Sequence, residues 1–279
     1  ADLSRRVELC LSTGGGIGID YSIYRPSGSV LHGTGGIASG PLAKMQMTND
    51  QGRGVMQGGS RRSAIYASLS CDHADIETFM HMKDWHNMPV ASTGKTLWDV
   101  KQEDFNFPAP MDMSNISVNY NTDWIIDYWK TGQYGATFRE NCQQALSTGE
   151  PGFAFNFFDK EKETLRNACT EVTSEDDSDV CNLGSVNLGR IDDITEYMDI
   201  VKLAVKFLMC GTLRADLPYE KVYEVREKNR RLGLGLMGIH EWLLNRGYGY
   251  EVTDELHRWL AIYKDASSGV AKRFADKHG

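Results

Sequence analysis

The sequence has no run of eighteen apolar residues, so nothing in it reads as a membrane-spanning helix. It has no basic excess either. Thirty Lys and Arg stand against 38 Asp and Glu, a formal net charge of −8, and no cationic face is available to release counterions from nucleic acid. Small nucleotides remain open, since a few backbone N–H groups and one or two arginines suffice for them. The six cysteines, Cys10, Cys71, Cys142, Cys169, Cys181 and Cys210, contain no CxxC pair and no metal-ligand spacing. No metal bound by this chain's own side chains is therefore expected. The opening ADLSRRVELC lacks the charged-then-apolar layout of a secretory signal, and with free thiols a cytoplasmic location is expected. There is no repeat, no low-complexity run and no linker. An initiator methionine is missing too, and FADKHG stops just after a helical pattern, so the chain reads as a piece of a longer protein.

What is present fits a soluble globular protein: 279 residues, 41% hydrophobic and 24% charged, enough to bury a sizeable core. Glycine is abundant, 28 residues, and dense in the first sixty positions. STGGGIGIDYS, SGSVLHGTGGIASG and QGRGVMQGGSRRSAIYASLS hold short extended pieces, GIGID and SAIYASL, between glycine-rich loops. From Asp75 the pattern turns helical. Asp75 is placed to cap a helix carrying Ile76, Phe79, Met80 and Lys83. Thr122 or Asp123 opens a second helix, stopped by Gly132. GFAFNFF (152–158) and CNLGSVNL (181–188) read as buried strands. YMDIVKLAVKFLMC reads as a helix ending at Gly211, Pro218 starts another, and Thr253 caps a last one over about 254–277. The whole reads as one mixed α/β unit.

Three constellations carry possible chemistry. GGGIG, Gly14 to Gly18, lets backbone approach a ligand closely, or is simply a tight turn; it is not a GxGxxG fingerprint and opens no helix. GGSRRSA, Gly58 to Ala64, sets two arginines after glycines, a cradle for an anion or a solvated pair. The third is RNACTEV. Asn167, Cys169 and Glu171 stand at two-residue spacing, which puts them on one face if the segment is extended. Singly, Cys169 reads as a small buried hydrophobe and the other two as surface residues. Together they offer a thiol for redox chemistry, a carboxylate to accept a proton and an amide to hold a hydroxyl.

These segments resemble the large, catalytic subunit of ribonucleotide reductases. NACTE is similar to that family's Asn-x-Cys-x-Glu finger loop, CNLGSVNL to its redox-cysteine strand, and GGGIGI to its substrate-side glycine strand. GGSRRSAIYASLSCDHADIETFMHMKD resembles its effector-linked loop and His-x-Asp-Ile helix. NISV (115–118), STGEPGFAFNFFD (147–159) and RRLGLGLMGI (230–239) follow in the family's order. The resemblance runs from about Leu11 to the end.

It implies part of a ten-stranded α/β barrel of the ribonucleotide reductase and glycyl-radical type, with an internal finger loop. The chain would be a single catalytic-barrel fragment: glycine-rich substrate and effector loops over 1–70, helices and strands over 71–165, finger loop and redox-cysteine strand over 166–190, and helical segments over 191–279. The implied activity is reduction of ribonucleotides to 2′-deoxyribonucleotides by a thiyl-radical mechanism. Cys169 would be the radical thiol, Glu171 the base for the 3′ hydroxyl, Asn167 the group that orients the sugar, and Cys181 one of two reducing thiols. Gly16, Ala168, Thr170 and Arg61 would join Asn167, Cys169 and Glu171 in contacting substrate. Arg25, Ser27, Gly58, Gly59 and Ser60 would contact a dNTP or ATP effector. The radical source would be adenosylcobalamin or a metal-containing small subunit, the reductant a thioredoxin-like protein, and the full-length protein a homodimer. The second redox cysteine is expected upstream, and the phosphate loop and C-terminal cysteines downstream; Cys10 reads as structural. A nucleotide-binding regulatory module without catalysis is the competing reading. It explains the glycines and arginines but gives no reason for the Asn167, Cys169 and Glu171 trio.

Overall fold

IYASLS is buried at five of its six positions, as a strand covered on both faces must be, and it lies inside the larger, four-stranded sheet. The computed structural model describes residues 2–33, 35–57 and 61–278. The chain divides into two compact units, 1–177 and 178–279. The sequence reading treats the chain as a single catalytic-barrel fragment with segments 1–70, 71–165, 166–190 and 191–279.

In the first unit, α1 (Asp2–Ser12) leads through the glycines into β1 (Ile17–Asp20). Then come α2 (Gly40–Arg53), β2 (Ile65–Ser70), α3 (Ile76–Met80), α4 (Leu97–Glu103) and β3 (Ser114–Tyr120). They are followed by α5 (Thr122–Thr131), α6 (Ala136–Thr148) and β4 (Gly152–Phe155). The four strands pair in parallel in the order β1-β2-β3-β4. A short antiparallel hairpin, β5 (Leu165–Arg166) and β6 (Thr173–Ser174), completes the unit.

The register gives the sheet two unlike faces. Ile65, Tyr66 and Ser68 stand opposite Ser114, Asn115 and Ser117, so alternate residues of neighbouring strands line up. Ala67, Leu69, Ile116, Val118 and Tyr120 face the helices and pack with Tyr21, Met45, Phe79 and Met80. Each large side chain buried there contributes about 1.5–3 kcal/mol. Gly18, Tyr66, Ser68, Asn115, Ser117 and Asn119 alternate with them on the other face. That face is polar, and Asn119 Nδ2 donates to Ser68 Oγ at 3.0 Å within it.

Local signals account for the helix ends. Asn121 caps α5 by accepting from Trp124 N at 3.0 Å, and Gly132 ends it in the left-handed region at φ 67°. Thr96 and Asp99 form a capping box on α4. Asp75 does precede α3, but its side chain does not cap it. Its Oδ2 instead accepts from Ser27 N at 2.9 Å, fastening a distant loop, and the helix is only five residues long. GFAFNFF is a strand over 152–155 alone and is only partly buried, at Ala154 and, beyond the strand, at Asn156. Phe153 and Phe155 are 37% and 48% exposed, because β4 stands at the end of the sheet order.

The second unit is a parallel pair, β7 (Cys181–Asn187) and β8 (Arg231–Met237), in register from Cys181↔Arg231 to Asn187↔Met237. α7 (Ile194–Arg214) and α8 (Glu220–Asn229) form the crossover, and α9 (Ile239–Asn245) and α10 (Asp254–His278) follow. Val186, Tyr197, Val201, Trp242, Leu256 and Trp259 make its core. α7 continues past Gly211, which packs against the Asn182 side chain of β7 and does not terminate the helix. Thr253 Oγ1 accepts from Leu256 N at 3.1 Å, capping α10. No sheet closes into a barrel among the described residues, so the class is mixed α/β. Among these residues no helix is long and apolar enough to cross a membrane.

Candidate active site

RNACTEV is not an extended segment. It is the connection of the β5–β6 hairpin, and residues 168–170 form a turn. A chain that reverses direction within six residues must leave the extended region, and it does so at Thr170, whose φ is +72°. That conformation costs a β-branched residue on the order of 1–3 kcal/mol. Thr170 N donates to Asn167 O at 3.1 Å, closing the turn, and Val172 N donates to Asn167 Oδ1 at 3.0 Å. Two-residue spacing therefore does not align Asn167, Cys169 and Glu171 by strand alternation. A compact loop keeps the three together by a different route.

The hairpin lies on the polar face of the larger sheet, at the glycines. A Cβ at Gly18 would collide with the Arg166 carbonyl oxygen, so only glycine admits the hairpin backbone there. At Gly16 a Cβ would stand 3.3 Å from the Ala168 methyl. Ala168 is buried, whereas Cys169 and Glu171 are exposed on either side of the half-buried Thr170. The structure thus brings Gly16, Asn167, Ala168, Cys169, Thr170 and Glu171 into one neighbourhood. Asn167 spends its side-chain oxygen inside the loop, so the group it has left to offer a ligand is the amide Nδ2, a donor.

The remaining sequence candidates lie elsewhere. Cys181, half-buried at the start of β7, belongs to the second unit, where its thiol donates to Asn182 O at 3.7 Å. Cys10 ends against the glycine strand, its thiol donating to Gly16 O at 3.4 Å, and burial pushes that thiol's pKa up. Burial also drives the Cys71 thiol up, to about 12. Arg25 is exposed, and Ser27 is fastened by its N–H to Asp75. Gly58, Gly59 and Ser60 lie outside the described residues, as does the Arg61 side chain; the Arg61 backbone pairs with Gln57 in a short antiparallel ribbon.

Three residues at the hairpin were not singled out from the sequence: Asn115 and Asn156 beside it, and Arg166 in its first strand. Asn115 Nδ2 donates to Ala168 O at 2.8 Å. Arg166 donates from Nη1 to Thr170 O at 3.3 Å and from Nη2 to Asn156 Oδ1 at 2.9 Å. Polar residues at alternate positions of an otherwise buried strand, Asn115, Ser117 and Asn119, were the available signal.

Residues 1–99 and 121–261 match the family described as ribonucleotide reductase, barrel domain. The chain is 27% identical to a vitamin B12-dependent ribonucleoside-diphosphate reductase of Thermoplasma acidophilum, over 99% of this chain and 37% of that protein. A protein of the same description from Mycobacterium tuberculosis is 27% identical, over 100% of this chain and 42% of its own length. A ribonucleoside-diphosphate reductase subunit alpha of Chlamydia pneumoniae is 26% identical, over 92% and 29% respectively. The chain spans between 29% and 42% of the length of these curated relatives.

Proposed function

The chain belongs to the ribonucleotide reductase barrel-domain family, and from that premise we propose that it carries the thiyl-radical site at which a ribonucleotide becomes a 2′-deoxyribonucleotide. One observation supports this above the rest: an exposed Cys169 at a hairpin tip, between Asn167 and Glu171, in a loop whose Arg166 and Ala168 pack closely on Gly18 and Gly16. A purely regulatory nucleotide module has no use for that thiol. The two units would form part of the family's ten-stranded barrel, in the cytoplasm.

An exposed thiol suits a radical source brought from outside these residues, either adenosylcobalamin or a metal-containing small subunit, and that source would supply one oxidising equivalent to Cys169. The Cys169 thiyl takes the 3′ hydrogen atom, leaving a sugar radical and a thiol. Glu171 takes the 3′ hydroxyl proton. Asn167 Nδ2 donates to the sugar and orients it. The 2′ hydroxyl leaves as water with a proton from one of two reducing thiols, of which Cys181 is one. That pair supplies two electrons and closes to a disulfide, and Cys169 returns its hydrogen to C3′. The sum is one ribonucleotide and two thiols giving one deoxyribonucleotide, one disulfide and water. A thioredoxin-like protein would reopen the disulfide. Arg25, Ser27, Gly58, Gly59 and Ser60 would answer to a dNTP or ATP effector and Arg61 to the substrate, in a homodimer.

The test uses the full-length enzyme with its radical source. Cys169→Ser should bind substrate nearly normally and form no deoxynucleotide, because an O–H bond is too strong to relay the hydrogen. Glu171→Gln should be severely slowed. Cys181→Ser should give substrate breakdown with base release in place of repeated turnover. Multiple turnovers by Cys169→Ser would sink the proposal.

A further inference from the structure

Cys169 is bracketed by two peptide carbonyls, and each is held by a side chain from outside the loop tip. On one side Asn115 Nδ2, from β3, donates to Ala168 O at 2.8 Å. On the other, Arg166 Nη1 donates to Thr170 O at 3.3 Å while Nη2 donates to Asn156 Oδ1 at 2.9 Å. Asn156 is a firm anchor: it is buried, and its own N–H donates to Tyr120 O at 3.0 Å, at the end of β3. Thr170 between these contacts is in the left-handed region, a conformation that persists only where the surroundings over-determine it. Ala168 is pinned a third way, by its methyl against Gly16.

We propose that Asn115 and Arg166 are positioning residues for the Cys169 thiol, fixing it by holding the carbonyl on either side of it to β3 and to the chain beyond β4. The inference rests on the reading of Cys169 as the hydrogen-abstracting thiol. Hydrogen transfer needs near contact, and a displacement of roughly 1 Å can cost on the order of 100-fold in rate. The chemistry of the two holders is specific. A carboxylate in place of the Asn115 amide has no N–H to give and repels a carbonyl oxygen. A lysine at 166 carries a point charge on a flexible stem and does not reproduce the planar fork that meets two acceptors at once. Asn115 is itself exposed, so changing it leaves the core intact.

The experiment is run on the full-length enzyme with its own radical source, comparing Asn115→Asp, Arg166→Lys and Cys169→Ser with the parent. We expect kcat to fall about 10- to 100-fold in the first two, with substrate KM and effector binding within twofold. The isotope effect on 3′-deuterated substrate should rise as hydrogen transfer becomes the slow step. An activity-free measurement accompanies it: iodoacetamide alkylation of Cys169 in the resting enzyme should change rate in both variants, while Cys210, also exposed, serves as an unchanged reference. A merely structural loss would move KM, effector binding and Cys210 together. Should Asn115→Asp fail to fold, Asn115→Ser, whose hydroxyl is too short to reach Ala168 O, takes its place with the same expectation. Parental kcat, isotope effect and alkylation rate in these variants, with Cys169→Ser inactive, would overturn the positioning role and leave the proposed function standing. Turnover by Cys169→Ser would overturn the proposed function itself.

Discussion

Asp112 is a single carboxylate that ties three pieces of chain together. Its side chain is 3% exposed and accepts from Arg53 Nη1 at 2.8 Å and Nη2 at 2.6 Å, from Asn49 Nδ2 at 3.2 Å and from Lys101 Nζ at 3.2 Å. Arg53 and Asn49 come from α2, Lys101 from α4, and Asp112 itself stands just before β3. Burial alone would raise its pKa, but the hydrogen bonds from Arg53, Asn49 and Lys101 outweigh burial and hold the carboxyl below the ordinary carboxylate range. A carboxyl depressed in the folded state stabilises fully above its unfolded value, near 4, and that contribution is lost as pH falls through the lower folded value. Asp112→Asn leaves two cations facing a neutral amide and should cost about 3 kcal/mol at pH 7. Urea unfolding at pH 7 and again near pH 2.5 checks this. The gap between variant and parent should shrink at the acid end, and a constant gap would remove Asp112 from the account of acid stability.

At the scale of the element, the hairpin and β1 were made for each other by the absence of a side chain. Gly18→Ala drives a methyl into the Arg166 carbonyl, backbone against backbone, which should cost about 1–3 kcal/mol and push the hairpin off the sheet. Gly33→Ala, which meets nothing within 4 Å, should stay within about 0.5 kcal/mol of the parent. Limited proteolysis reads the difference, with cleavage in 167–172 accelerated in Gly18→Ala and not in Gly33→Ala. Much at this scale was legible beforehand. GIGID and SAIYASL are strands because β-formers alternate between glycine loops, Gly132 stops α5, and Thr253 caps α10. What was not legible depends on partners far away in sequence. Asp75 serves Ser27, 48 positions off, and Asn115 serves Ala168, 53 positions off. The spacing of Asn167, Cys169 and Glu171 pointed to residues that do share one loop, but through the wrong geometry. A period of two implies a shared face only while the backbone is extended, and Thr170 breaks that condition.

At the scale of the whole molecule, β4 ends the larger sheet with Phe153 and Phe155 partly exposed, and Trp129 and Phe158 nearby stack at 5.6 Å with both rings exposed. A strand at the end of a sheet with aromatic side chains is a template for another chain. The 279-residue chain by itself should therefore associate with itself at micromolar concentration, and Phe155→Lys should shift sedimentation towards the monomer. A concentration-independent monomer in the parent chain would refute this. The opposite side of the same sheet behaves differently. It receives the hairpin through Gly16, Gly18, Asn115 and Asn156, and side-chain hydrogen bonds from Asn115 and Arg166 fasten the loop there. Lifting a segment as short as this hairpin uncovers far less surface than unfolding the core beneath it, so it carries a smaller heat-capacity change and a weaker dependence on urea. The segment bearing Cys169 can then breathe as a unit of its own while the helices on the far side stay shut. Its grip on Cys169 rests on directional bonds, whose strength does not fade on cooling as hydrophobic attraction does.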